Sequence, residues 1–388
     1  MHAKMSYVHV LCLFVFSFRF DVMAVLSEAI NTFTLNVFKE ISEKDSSQNV
    51  FYSPLSLYCA LAMVLEGAKG NTAAQIQQVL GTKRKQINKK ANHMKYCTSP
   101  KSHLKGAELC QQCSHRELGS FKESCQKFYH SNVEELDFAN ASEEARKYIN
   151  KWTEEKTEDL IQELLSNDSI NPWTSLVLVN AIYFKGKWEK KFDKNRTREE
   201  MFKISKQKPV QMMFLKSRFR MRHIEDVSTQ VLVLPYVGGQ MDMVIFLPDE
   251  NTDLKMLEQG LTPEKLTDWL KPERMKMTEV GVYLPRFKLE ENLDMENILQ
   301  KLGMSDAFDM SKADFSGISA GKDLFLSKVS HKAFVEVNEE STEAAAATVV
   351  GLRGSCLCSF FVVDHPFLFL IRDNSSKTIL FWGKVISP

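Results

Sequence analysis

Net charge is nearly absent from this chain. Fifty Lys and Arg stand against forty-nine Asp and Glu, a formal +1, so no global field draws it toward nucleic acid or an anionic membrane. Glycine and proline are scarce, at 16 and 11 of 388 residues, which excludes collagenous and low-complexity chains. No apolar run reaches the ~18 residues that span a bilayer. HExxH, GxxxxGK[ST] and GxGxxG are missing as well, so the common metalloprotease, phosphate-loop and dinucleotide signals are not there. The sequence therefore points to neither an enzyme nor a cofactor. What remains is ordinary globular material, 44% apolar and 26% charged, enough for a large core.

Cysteine is thinly and unevenly spread: Cys12, Cys59, Cys97, Cys110, Cys113, Cys125, Cys356 and Cys358 do not make a disulfide framework. Cys356 and Cys358, two residues apart, do not easily close a relaxed bridge, and a reducing compartment fits best. Sequons at Asn140, Asn167, Asn195 and Asn374 matter only on a secretory route. The N-terminus bears on that choice. His2 and Lys4 precede an apolar stretch from Tyr7 to Phe18, with small residues near Val22 to Ala24, yet Arg19 and Asp21 charge the region where cleavage needs neutrality. Residues 1–22 read as an extension ahead of Met23 or as a signal-like segment, followed by a single domain over 23–388 without repeats or linkers.

Several elements are legible. Ser53 as N-cap and Pro54 at the first helical position open a helix that is apolar on nearly every side from Leu55 to Leu65 and stops at Gly67; such a helix is buried. Asn140 with Glu143 resembles a capping box, placing Ala145, Tyr148, Ile149 and Trp152 on one helical face. Leu176 to Phe184 reads as a central strand covered on both faces, and Asn180 in its middle needs partners. Hairpins are signalled at Gly238-Gly239 and at Asp373 to Ser376. Helices first and paired strands later indicate α+β.

Between His93 and His115 lie His93, Cys97, His103, Cys110, Cys113 and His115; with one CxxC only they read as a reduced loop rather than a zinc module. The run Lys83, Arg84, Lys85, Lys89, Lys90 and Lys95 reads as a solvated face rather than a polyanion patch. Most informative is Glu336 to Val350, which carries four consecutive alanines. Alanine favours helix, yet the flanks are β-branched and offer such a helix no apolar face. Small residues suit a segment that slides between packed strands, where bulk or charge would jam it. With period two, Thr342, Ala344, Ala346 and Thr348 share one face, and Glu343, Ala345, Ala347 and Val349 the other.

That segment, with NVFYSPLS (49–56), LVLVNAIYFKGKW (176–188), LPRFKLE (284–290), ADFSG (313–317) and DHPFLFLIRDNSSKTILFWGKV (364–385), resembles the serpin family, in its ovalbumin-type intracellular clade B. The likeness covers about residues 23–80 and 121–388. It implies a metastable α+β fold of about nine helices around three β-sheets, with an exposed reactive-centre loop at about 339–363. It further implies a monomeric cytoplasmic inhibitor, extracellular if residues 1–24 act as a signal, with no cofactor, metal, nucleic acid or membrane. The partner is a serine protease, trypsin-like or preferring small residues, or a cysteine protease; loop cleavage is followed by insertion of the loop as a new strand. The resemblance makes Glu339, Ser341, Thr342, Glu343, Ala344, Ala345, Ala346, Ala347 and Thr348 the hinge, and Ser53, Ser56, Asn180 and His331 the cluster where the sheet opens.

Departures from the pattern keep alternatives open. Counting from the hinge puts the scissile bond at Ser355–Cys356; counting back from His365-Pro366 puts it at Arg353–Gly354. The second register shortens the inserting segment by two residues, nearly 7 Å at ~3.3 Å per residue. Ser341 stands where the family usually has glycine, narrowing the backbone and slowing insertion. Segment 81–120 does not match the expected helices and sheet strand. These features support the alternative of a non-inhibitory serpin-fold protein, cleaved as a substrate or serving as an interaction module.

Overall fold

A computed structural model describes residues 10–13, 26–82, 116–129, 131–204, 207–321, 323–339 and 359–388. Hinge residues 341–348, both candidate scissile bonds, the His93 to His115 cluster and the 83–95 basic run lie outside them. Two compact units divide the chain. One comprises Met1–Glu40, Ser53–Tyr183 and Glu291–Ala333; the other comprises Ile41–Tyr52, Phe184–Glu290 and Phe334–Pro388.

The first unit carries α1 (Ser27–Lys44), α2 (Pro54–Gly67), α3 (Gly70–Val79), α4 (Arg116–Ser124), α5 (Phe138–Lys156) and α8 (Glu296–Lys301). Helix α2 forms as its residues dictate: the Ser53 side chain accepts from Ser56 N, Pro54 fills the first turn, and every residue is buried. Helix α5 differs from expectation. Asp137 caps it, accepting from Asn140 N, and Ala141 leaves helical geometry at φ −139°, while Glu143 pairs with Arg146 at 2.8 Å. Ala145 and Ile149 are buried, but Tyr148 is 43% exposed and its hydroxyl donates to Glu134 at 2.6 Å. A polar group at the ring's tip gives Tyr148 reason to face outward.

Five strands form one sheet in the order β10 (Phe287–Asp294), β11 (Leu326–Val337), β4 (Leu176–Phe184), β1 (Val10–Leu13) and β3 (Asn132–Glu134). The place between β4 and β3 is taken by β1, from the N-terminal extension. It runs parallel to β4, with Cys12 opposite Leu178, and antiparallel to β3, with Cys12 opposite Val133.

The second unit holds α6 (Leu254–Gly260), α7 (Pro263–Trp269) and a sheet ordered β12 (Ser359–Val362), β9 (Lys276–Pro285), β6 (Lys208–Ile224), β7 (Thr229–Pro235), β8 (Met241–Pro248), β13 (Phe367–Asp373), β14 (Ile379–Val385) and β2 (Val50–Tyr52). β5 (Arg198–Phe202) pairs with the start of β6. The 17-residue β6 pairs with β9 from Met212 to Met221 and with β7 from Arg220 to Ile224. One long strand thereby joins what the family pattern counts as separate sheets into a single hydrogen-bonded path. The β7–β8 turn uses positive φ at Gly238 (+84°) and Gly239 (+63°), as its sequence requires. At Gly383 the Phe369 ring lies 2.2 Å from where a Cβ would stand, so only glycine lets β14 approach β13 there. Among the described residues are eight α-helices and fourteen strands, an α+β fold.

Candidate functional site

Ser53, Ser56, Asn180 and His331 converge in the first unit, each with no solvent exposure. Asn180 sits mid-strand in β4 and His331 mid-strand in β11, which are hydrogen-bonded neighbours; the serines sit at the mouth of α2. Ser53 N donates to His331 Nε2 at 3.0 Å. With Nε2 accepting, Nδ1 must carry the ring proton, and it donates to Asn180 Oδ1 at 2.7 Å. Ser56 Oγ donates to the same oxygen at 2.8 Å, and Asn180 Nδ2 donates to Ser56 O at 3.3 Å. The polar residue that looked out of place in an apolar strand is thus satisfied, as a buried amide must be. Burial pushes the His331 value down to about 3, so the ring is neutral and the network is an uncharged bridge across two adjacent strands.

The second constellation lies in the other unit, where β11 ends. Glu339, the one hinge residue described, has a side chain only 1% exposed. It takes a bidentate grip from Arg286: Nε donates to Oε2 at 2.6 Å and Nη2 lies 2.6 Å from Oε1. Thr197 Oγ1 donates to Oε1 as well. Burial would raise the Glu339 carboxyl, but the bonds from Arg286 and Thr197 hold it below the ordinary value. Trp188 Nε1 donates to the Asn338 carbonyl at 2.9 Å. Arg286 and Trp188 fall inside motifs quoted above, yet their pairing with the hinge was not legible, because the partners are 53 and 150 positions apart in sequence. Thr197 had no signal at all.

Gly317-Ile318-Ser319-Ala320-Gly321 spells a GxSxG pattern, but it lies in a turn ahead of β11, not at a strand-to-helix elbow. Its Ser319 Oγ accepts from Gly321 N at 3.3 Å. It lacks the setting of an activated nucleophile. Among the described residues no group of three His, Cys, Asp or Glu is placed to hold a metal, and no helix is long and apolar enough to cross a membrane.

Residues 28–388 match the family model described as Serpin (serine protease inhibitor). The chain is 51% identical to Serpin B6 of Pongo abelii, with 94% of this chain and all of that protein covered. It is 44% identical to the human leukocyte elastase inhibitor over the same shares. Among solved structures, uncleaved ovalbumin superposes with a TM-score of 0.83 at 32% identity, covering 94% of this chain and all of that one. A fold, a buried inter-strand network and a match over nearly the whole sequence agree: the chain belongs to the serpin family, among relatives of clade B.

Proposed function

We propose that this serpin inhibits a serine protease, or a cysteine protease, by suicide cleavage and loop insertion, and that it is not a catalyst. One observation carries the reading. β11 precedes the small-residue segment Thr342 to Thr348 in the chain, and at mid-strand the side chains that link it to its hydrogen-bonded neighbour β4 form a neutral, exchangeable bridge. Cleavage frees the segment to fold back beside β11, where alanines pass without clash and each residue gains backbone bonds worth about 1 kcal/mol. His331 and Asn180 part as the new strand enters, and Arg286 and Thr197 release Glu339 so that the hinge can turn. An acylated protease is carried along before it can hydrolyse the ester. Native persistence is then a kinetic matter.

The target bond is Ser355–Cys356 for a protease with a small neutral pocket, or Arg353–Gly354 for a trypsin-like one with an acidic pocket. The reading places a monomer in the cytoplasm, supported by the buried free thiol of Cys125; an extracellular form requires removal of residues 1–24, which N-terminal sequencing detects. Incubation with trypsin-like, elastase-like and cathepsin-type proteases is expected to give a complex that survives boiling in detergent. Mass spectrometry of the cleaved loop then fixes the bond. Cleavage without complex, and without a large gain in thermal stability, would instead establish the non-inhibitory alternative that Ser341 favours.

A further inference from the structure

Among the described residues β12 is the edge strand of its sheet and pairs with β9 alone, in parallel, over four residues from Ser359 opposite Val280 to Val362 opposite Tyr283. Such a short parallel edge is weakly held by its ladder. The chain that follows it is gripped differently. Val363 N donates to Tyr283 O at 2.9 Å and Lys203 N donates to Asp364 O. The Lys203 ammonium binds Asp364 Oδ2 at 2.9 Å and Glu250 Oε1 at 2.7 Å. His365 Nδ1 faces Asp364 Oδ1 at 2.8 Å, while Nε2 faces the Pro248 carbonyl at 2.7 Å.

Both partners of the ring can only accept. A neutral imidazole has one N–H and satisfies one of them; an imidazolium satisfies both. The surroundings favour the charge. From the chain just after β12 comes Asp364; from the residue following β5, Lys203; from the β8–α6 connection, Glu250. The cavity of about 530 Å³ that His365 and Lys203 line also presents Asp253, Lys255, Glu258 and Lys384. Four carboxylates thus face three ammonium groups. Burial opposes protonation of His365, but the bonds to Asp364 and to Pro248 raise it above the ordinary histidine value. Burial likewise opposes ionisation of Asp364, and the bonds from His365 and Lys203 hold it low.

We propose that doubly protonated His365 is a positioning residue that locks the C-terminal root of the reactive loop, keeping β12 docked on β9, and that loss of one ring proton loosens this root. The proposal rests on the reading of 339–363 as the reactive loop. A histidine raised in the folded state contributes fully below its unfolded value of about 6.5, and that contribution is lost as pH climbs through the raised value. The lock is therefore firm in mild acid and weakens toward alkaline pH. The cavity gives solvent protons access to the ring.

Hydrogen exchange on the uncleaved full chain tests this without any protease. Protection of β12, normalised to β13 in the same sample, is expected to fall several-fold between pH 6 and pH 8.5. His365→Gln should show the weakened level at both pH values, and Asp364→Asn should move the fall to lower pH. A flat wild-type profile, or a His365→Gln profile that follows the wild type, overturns the lock. Should His365→Gln not fold, the C2–H resonance of His365 in the wild-type chain decides: titration below 6.5 refutes it. A normal β12 profile together with no protease complex would sink the inhibitor reading and leave the lock standing.

Discussion

Replacing Asn180 by alanine removes the acceptor of His331 Nδ1–H in a site with no solvent. The two other contacts of Asn180 are replaceable. The Ser56 hydroxyl can turn to Ser53 O, already 3.1 Å away, and Ser56 O lies in the first turn of a helix. The histidine cannot escape: with Nδ1 protonated its N–H is orphaned, and with Nε2 protonated the Ser53 N–H is orphaned instead. One buried donor left without a partner costs about 1–3 kcal/mol, and the vacated amide volume raises the total to about 2–4 kcal/mol. At ~2.1 cal/mol/K per residue, a chain of 388 residues has an unfolding entropy near 0.8 kcal/mol/K, so Tm should drop by about 2.5–5 °C. Scans at one fixed rate, backed by unfolding rates in denaturant, are the measurement, because stability here is kinetic. Ser56→Ala is the internal control, expected to cost less than about 1 kcal/mol since Asn180 still accepts from His331. In Asn180→Ala/His331→Ala the penalties should fall short of their sum by at least about 1 kcal/mol. Full additivity, or an Asn180→Ala shift under about 1 °C, would refute the reasoning.

His331, depressed to about 3 in the folded state, contributes stability that is complete above its unfolded value near 6.5 and is lost as pH falls toward 3, by at most about 1.4 kcal/mol per pH unit; His331→Gln should flatten that acid limb of a denaturation-versus-pH curve and leave the slope through the neutral range unchanged. Arg286→Ala leaves the buried Glu339 carboxylate with Thr197 alone; with Arg286 itself 44% exposed, the loss should reach about 2–3 kcal/mol rather than the upper figure for a fully buried pair, read as faster protease nicking near the hinge.

Local signals were read well where one residue type admits one local structure. Ser53-Pro54 could only begin a helix, Gly238-Gly239 could only turn, and an unbroken apolar run such as Leu176 to Phe184 could only be covered on both faces. α5 begins three residues before the Asn140 signal, since Asp137 and Asn140 are both good caps: Asp137 accepts from Asn140 N, and a kink at Ala141 follows before the helix runs on. Tyr148 shares its helical face with buried residues yet stands half exposed: periodicity sees an apolar ring, whereas the hydroxyl finds Glu134 from a separate strand.

Asn180 shows where the two kinds of information meet. Its position alone required that partners exist, because a bare amide inside an apolar strand is too costly to keep. Which atoms supply them, and that His331 must carry its proton on Nδ1, depended on bringing α2, β4 and β11 together. The same holds for Arg286 with Glu339 and for Lys203 with Asp364 and His365. Burial pattern and turn chemistry act over a few neighbours and are written in the order of residues; hydrogen-bond geometry and charge pairing act through space, and the chain order carries no record of which distant groups folding will set within 3 Å of one another.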